Sequence, residues 1–240
     1  MMLFNRNRRN DSAGTFGGSK SAEAKGELTE LVFILDRSGS MSGLESDTVG
    51  GFNSMIERQK KLPGEVYVST VLFNNRSKVL HDRVPIEKIE PLTENEYVPS
   101  GCTALLDAIG DAIHHIGNVH KYARPEDVPE KTLFVITTDG YENASHKYGA
   151  DEIRAKIKRQ QDKYGWEFLF LGANIDAIET AERYGIRQDR AVNFHPDAVG
   201  MRNSMESVTE AAVLLRTHMP LDASWKANTE IDFESRDSER

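Results

Sequence analysis

The sequence predicts a doubly wound α/β fold: a mostly parallel sheet with one short antiparallel strand and helices on both faces. Three observations carry that expectation. Short continuous apolar runs, such as "LVFIL" at 31–35, read as strands buried on both faces, as in parallel sheets covered by helices. Between them lie longer segments whose apolar residues recur at three- and four-residue steps, the helical period. One polar stretch, "NNRSKVLHDRVPI" (74–86), breaks this alternation and reads as a turn plus a short second strand, hence a hairpin.

In chain order, residues 1–27 are rich in Gly, Ser, Asn and Lys without an apolar period, so a disordered tail is expected there. After the 31–35 strand, residues 44–61 place Leu44, Phe52, Met55 and Ile56 on one side of a helix. "EVYVSTVLF" (65–73) is a buried strand and the first arm of the hairpin. Residues 103–118 are the clearest helix, with Ala104, Leu105, Ala108, Ile109, Ala112, Ile113 and Ile116 in register. "KTLFVITT" (131–138) is the next strand. In "ADEIRAKIKRQQDKYG" (150–165) acids lead and bases follow, matching a helix dipole, and Gly165 is a natural stop. "WEFLFLG" (166–172) and "RAVNF" (190–194) are strands, and Met201, Met205, Val208, Ala212 and Leu215 mark a final helix over 197–218. The remainder, 219–240, is polar and acidic and reads as a second loose tail, leaving one domain over 28–218.

Composition narrows the function classes. A 240-residue chain with 38% hydrophobic content supports one sizeable core. The net charge of −8, without clustered basic and aromatic residues, speaks against a nucleic-acid partner. Cys102 is the single cysteine, so no intramolecular disulfide forms, which fits a reducing compartment. No apolar run approaches the roughly 20 residues that span a bilayer, and the N-terminal arginines lack the apolar segment of a secretory signal. A cytoplasmic protein without membrane contact is the expectation.

The chemistry gathers at strand ends, where open α/β sheets place ligands. The first strand runs into Asp36-Arg37-Ser38-Gly39-Ser40, and the 131–138 strand ends in Thr137-Thr138 before Asp139-Gly140. Between them, "PSGCTALLDA" sets Thr103 at the start of the strongest helix. Asp36, Ser38, Ser40, Thr103 and Asp139 thus offer five oxygen-bearing side chains above one sheet. Oxygen ligands with few carboxylates suit a hard cation, Mg²⁺ or Mn²⁺, held partly through waters. The two strand-end loops hold no cysteine or histidine, which argues against zinc. Taken alone, Asp-x-Ser-x-Ser is also a plain Asx or Ser turn, and the strand before it with Thr103 and Asp139 in order separates the two readings.

These residues make the chain resemble a von Willebrand factor type A domain, the fold of the integrin inserted domains. That family carries a metal-ion-dependent adhesion site of Asp-x-Ser-x-Ser, a downstream Thr and a later Asp-Gly. The resemblance covers roughly residues 28–218. It implies that Ser38 and Ser40 bind the cation directly and that Thr103 does so directly or through water. It implies that Asp36 and Asp139 act partly through water and orient the hydroxyls. It leaves one position for an acidic residue of a protein partner, with Mg²⁺ as the expected ion and Mn²⁺ or Ca²⁺ as alternatives. The short layout is similar to intracellular bacterial members of the family.

The expected function is therefore a non-enzymatic, cation-dependent protein-interaction module. Two other classes compete with it. A phosphoryl-transfer enzyme of the aspartate-nucleophile kind also begins with Asp at a first strand end, but needs a second Asp where Ser38 stands. An RNA-binding protein of the same fold is opposed by the charge balance. Among nearby residues, Asp107 is either an acceptor behind the site or an ordinary helix acid. Arg37 either meets an acidic partner or pairs locally. Cys102 is expected as a small semi-buried filler, His114, His115 and His120 as a solvated helix face, and Met201, Met205 and Met219 as core and cap packing.

Overall fold

The computed structural model describes residues 27–238, so the tail expected over 1–27 lies outside the described residues except for Glu27. The elements run β1 (Thr29–Asp36), α1 (Glu45–Lys60), β2 (Val66–Phe73), β3 (Ser77–Pro85), α2 (Leu105–Tyr122), β4 (Lys131–Thr138), α3 (Ala150–Tyr164), β5 (Glu167–Gly172), α4 (Ala177–Arg183), β6 (Ala191–Asn193), α5 (Ala198–Arg216) and α6 (Ala227–Asp237). They build one six-stranded sheet in the order β3-β2-β1-β4-β5-β6. Only the β2–β3 pair is antiparallel; β1 lies at the centre, parallel to both β2 and β4. The doubly wound fold and its hairpin are both present.

Strand alternation divides the core between the two faces. Leu31, Phe33 and Leu35 point to one side, packed with Phe52 and Met55 of α1 and Met201, Met205 and Val208 of α5. Val32 and Ile34 point to the other, packed with Ile109 and Ile113 of α2 and Ile153 and Ile157 of α3. All eight residues of β1 are buried, which is why its sequence is apolar rather than alternating. Gly51 lets α1 approach α5: a Cβ there would lie 2.7 Å from Met205 Cγ. Gly165 ends α3 in the left-handed conformation, at φ 65°.

Four expectations are corrected. The C-terminal stretch expected over 219–240 is not a loose tail in its described part, 219–238. Trp225 is buried with its indole N–H on the Asp189 carbonyl, buried Lys226 donates to the Gln188 and Ala191 carbonyls, and α6 follows. Arg236 of α6 pairs with Asp197, the residue that caps α5. A few anchors, not an apolar stripe, hold this segment, so its periodicity is weak. Met219 is exposed rather than packed. Cys102 is exposed as well. His120 is not on the solvated face shared by His114 and His115: its Nε2 lies 2.7 Å from Oε2 of the fully buried Glu30. The other partner of Glu30 is Arg83 Nε, 3.0 Å from both carboxylate oxygens, where a bulge gives Arg83 a φ of 50°.

Candidate metal centre

Three loops meet at the carboxyl end of the central strands. The first follows β1. Buried Asp36 turns the chain by accepting Ser38 N–H on Oδ1 at 2.7 Å, and its Oδ2 accepts the Thr138 hydroxyl at 2.6 Å. The Tyr97 hydroxyl donates to the Asp36 carbonyl. The turn brings Ser38 Oγ to 3.0 Å from Ser40 Oγ, and Ser40 Oγ donates to Asp139 Oδ1 at 2.5 Å.

The second loop, 99–104, is tied to the first by Gly39 N–H on the Gly101 carbonyl and Ser100 N–H on the Arg37 carbonyl. Its other ties go to the hairpin turn: Asn74 Nδ2 donates to the Ser100 carbonyl and Cys102 N–H to Asn75 Oδ1. Gly101 is required there, because its φ is +74° and a Cβ would fall 2.0 Å from Asn75 Oδ1. These ties present Thr103, whose hydroxyl makes no hydrogen bond among the described residues.

The third loop follows β4. A Cβ on Gly140 would stand 3.6 Å from Ser40 Oγ and 3.9 Å from Thr103 Oγ1, so this backbone lies against both hydroxyls. Asn143 Oδ1 accepts Thr103 N–H at 2.9 Å, and the Thr103 carbonyl accepts Asn143 N–H at 3.0 Å. Glu142 accepts from Leu106 N–H at the start of α2 and from Ala144 and Ser145 of its own loop. Of the two readings of Asp107, the structure favours an acceptor behind the site, with backbone groups as its donors. It accepts the N–H groups of His146, Lys147 and Tyr148, fastening the third loop to α2. Burial works to raise its carboxyl, and the three N–H donors outweigh that and hold it below the usual range. Arg37 makes no ion pair among the described residues, and its Nε is buried without a hydrogen bond.

All five expected residues are thus brought together, and the donor set fits a hard divalent cation. Asp139 Oδ2 is buried with no hydrogen-bond partner, a lone acceptor facing no donor. The 3.0 Å between Ser38 Oγ and Ser40 Oγ matches adjacent oxygens of an octahedral shell with ~2.1 Å bonds, about 3.0 Å apart. Burial raises the Asp36 carboxyl despite the opposing hydrogen bonds of Thr138 and Ser38, and the charge of Asp139 adds to the rise. Burial likewise raises Asp139, against the Ser40 hydrogen bond. Two carboxylates held without a cation are costly in this way. Sequence reasoning missed Tyr97, Thr138, Asn74, Asn75, Glu142 and Asn143, which aim the ligands rather than serve as ligands.

No protein-family model and no curated protein matches the chain. Solved structures do. The PilB minor pilin of Streptococcus sanguinis superposes with a TM-score of 0.57 at 12% identity, over 83% of this chain and 65% of that one. Proximal thread matrix protein 1 of the mussel byssus, with zinc in its metal-ion-dependent adhesion site, gives 0.53 at 15% identity, over 78% and 46%. The von Willebrand factor domain of the type V pilus tip protein Mfa5 of Porphyromonas gingivalis gives 0.52 at 10% identity, over 77% and 96%. The chain therefore spans less than two thirds of the pilin and under half of the byssus protein. Its fold is that of a von Willebrand factor type A domain. In that byssus structure the ion held by the adhesion site is zinc.

Proposed function

We propose that the chain is a divalent-cation-dependent protein-interaction module. Ser38, Ser40 and Thr103 would hold the cation through their hydroxyls, and Asp36 and Asp139 would orient them and balance its charge. The observation that carries this reading is the partnerless buried Asp139 Oδ2 beside the Ser38–Ser40 hydroxyl pair. When bound, the cation supplies positive charge that neutral hydroxyls compensate incompletely, and so attracts a carboxylate from outside. The protein's part is to fix the hydroxyls. Asp36 holds the turn, Asn143 holds Thr103, and the Ser100–Arg37 and Gly39–Gly101 bonds keep the loops in register. Mg²⁺ is the favoured ion, because few charged oxygens line the site and Mg²⁺ retains waters readily.

The partner is a protein presenting Asp or Glu; the pilus and byssus neighbours, named for protein assemblies, support a protein partner in general terms. Those neighbours lend no support to a cytoplasmic location, which rests on the lone cysteine. Among the described residues no helix is long and apolar enough to cross a membrane. An enzymatic role is disfavoured by Asp36 itself: both its oxygens are engaged and the side chain is buried, so it is poorly placed as a nucleophile. RNA binding is disfavoured by the −8 charge.

The test is titration calorimetry with Mg²⁺, followed by an Asp-containing peptide, on wild type and Asp139→Ala. Wild type should bind Mg²⁺ and then the peptide, and the variant neither. Peptide binding that persists in EDTA would refute the reading.

A further inference from the structure

At the end of the sheet opposite the metal centre, a groove of about 400 Å³ opens between the second halves of α2 and α3. Lys121, in the last turn of α2, stands roughly 24 Å along that helix from Leu105, at 1.5 Å per residue. The walls carry His114 and Lys121 from α2 and Lys156 and Arg159 from α3, and among the described residues no Asp or Glu lines the groove. In a chain of net charge −8 this is a local reversal of sign. Lys121 and Arg159 make no ion pair among the described residues, whereas Lys156 shares its charge with Glu152 at 3.7 Å. Glu30, hydrogen-bonded to the His120 of this lining, is fully buried and already shared with Arg83. A hydrogen bond from Lys163 is the main force holding the exposed Tyr164 phenol below its ordinary value, and Arg159 adds to it, as positive charge without carboxylates should.

Cations at helix ends commonly answer the helix dipole, which accounts for Lys121 and Lys163. It does not account for Lys156 and Arg159, which lie more than one turn before the end of α3. Nor does the dipole ask for apolar surface, yet Val128 and Tyr164 are exposed in the lining and Tyr122 is exposed beside it. Lys121 Nζ stands 4.9 Å from the centre of the Tyr122 ring and Lys163 Nζ 5.1 Å from that of Tyr164, so each ring is paired with a cation. Gly117 of α2 also lines the groove, and a Cβ there would meet only Gln160 Nε2 at 3.7 Å and Trp166 Cη2 at 3.9 Å. Those are ordinary contacts, so packing does not require a glycine that costs the helix stability; what it provides is open space. We infer that this groove docks an acidic protein segment, independently of the metal centre. Carboxylates of the segment meet Lys121 on the α2 wall and Arg159 on the α3 wall. An apolar side chain between them lies over Gly117, against Val128 and Tyr164. A protein segment fits better than a small anion, because the apolar rim continues past the cavity to Tyr122.

The test uses the full chain in EDTA and a labelled, capped peptide, Glu-Glu-Phe-Glu-Glu, with counterparts carrying Gln for every Glu or Ala for Phe. Fluorescence anisotropy at ~50 mM salt, where surface charge is less screened, reads the affinities. The acidic peptide should bind about tenfold tighter than the Gln counterpart and about threefold tighter than the Ala one. Lys121→Glu combined with Arg159→Glu should weaken it at least about tenfold. Gly117→Met, which fills the groove without changing its charge, should weaken it about fivefold. Both variants should melt near wild type in EDTA and keep its Mg²⁺ shift. Unchanged binding in either variant overturns the inference, as do equal affinities for the Glu and Gln peptides. If a single-stranded oligonucleotide displaces the labelled peptide at lower concentration than the unlabelled peptide does, the groove reads phosphate and the inference is wrong. A peptide with a single Asp lacks the second carboxylate and should bind only with Mg²⁺, alike in wild type and both variants, so the groove and the metal centre fail separately.

Discussion

In EDTA, Asp139→Asn should make the protein more stable at neutral pH, although it destroys the proposed site. Asp139 Oδ2 is buried and has no donor, and Asp36, also buried, carries a second carboxylate that interacts with it. A buried acceptor left unsatisfied costs about 1–3 kcal/mol, and more when charged. The amide keeps an oxygen for the Ser40 hydroxyl and removes the charge, so it should recover about that much. At roughly 2–4 °C per kcal/mol for a domain of this size, the melting temperature should rise by about 2–12 °C. The sign with pH follows from the direction of the shifts. Burial, opposed by hydrogen bonds from Ser40 to Asp139 and from Thr138 and Ser38 to Asp36, leaves both carboxyls above their ordinary values. Such groups bind more protons folded than unfolded. Their stabilising contribution is full below the unfolded value and is lost as pH rises through the folded one. In EDTA the wild type should therefore approach the variant as the pH falls from 7 toward the ordinary carboxylate range, about pH 4. Differential scanning fluorimetry across that range reads both effects. A variant that melts lower than wild type in EDTA at pH 7 would show that the carboxylate is satisfied without a cation, and would refute the reasoning.

Other consequences are open to direct measurement. Ser40→Ala removes one hydroxyl from an exposed loop, so calorimetry should show weakened Mg²⁺ binding with an unchanged circular dichroism spectrum. Glu30→Gln leaves Arg83 and His120 facing a neutral amide in the interior. Urea unfolding should show a loss of about 3–5 kcal/mol, with Mg²⁺ affinity intact because this network lies at the opposite end of the sheet. Trp225→Ala should cost about 3–5 kcal/mol if the C-terminal segment is part of the fold, and next to nothing if it were a loose tail.

The sequence carried the parts of the fold that repeat. Buried strands must be apolar along their whole length and α2 must show a helical stripe, so β1, β4, β5 and α2 could be read directly. Ligand chemistry is equally local: Asp36, Ser38 and Ser40 sit within five residues, and Thr103 and Asp139 are marked by their places at a helix start and a strand end. What holds them was not legible, because the partners are remote. Thr138 reaches Asp36 across 102 positions and Tyr97 across 61. The same distance problem hid His120, whose partner Glu30 is 90 residues away in a strand that otherwise reads as apolar. The short α4 buries only Ala177 and Ala181, and within α6 only Thr229 is buried, too little apolar pattern to reveal either helix.

The central claim is that Asp36, Ser38, Ser40, Thr103 and Asp139 form a divalent-cation site, and thermal unfolding with and without Mg²⁺ tests it most directly. A cation that binds only the folded state adds RT ln(1 + [L]/Kd) to stability, about 2.7 kcal/mol for ~10 mM Mg²⁺ and an assumed Kd of ~0.1 mM. Wild type should therefore melt about 5–10 °C higher in Mg²⁺ than in EDTA. Asp36→Ala, which loses the carboxylate that holds Ser38 and Thr138, should show almost no difference between the two conditions. Equal Mg²⁺ shifts in the wild type and in Asp36→Ala would place the cation elsewhere and contradict the account.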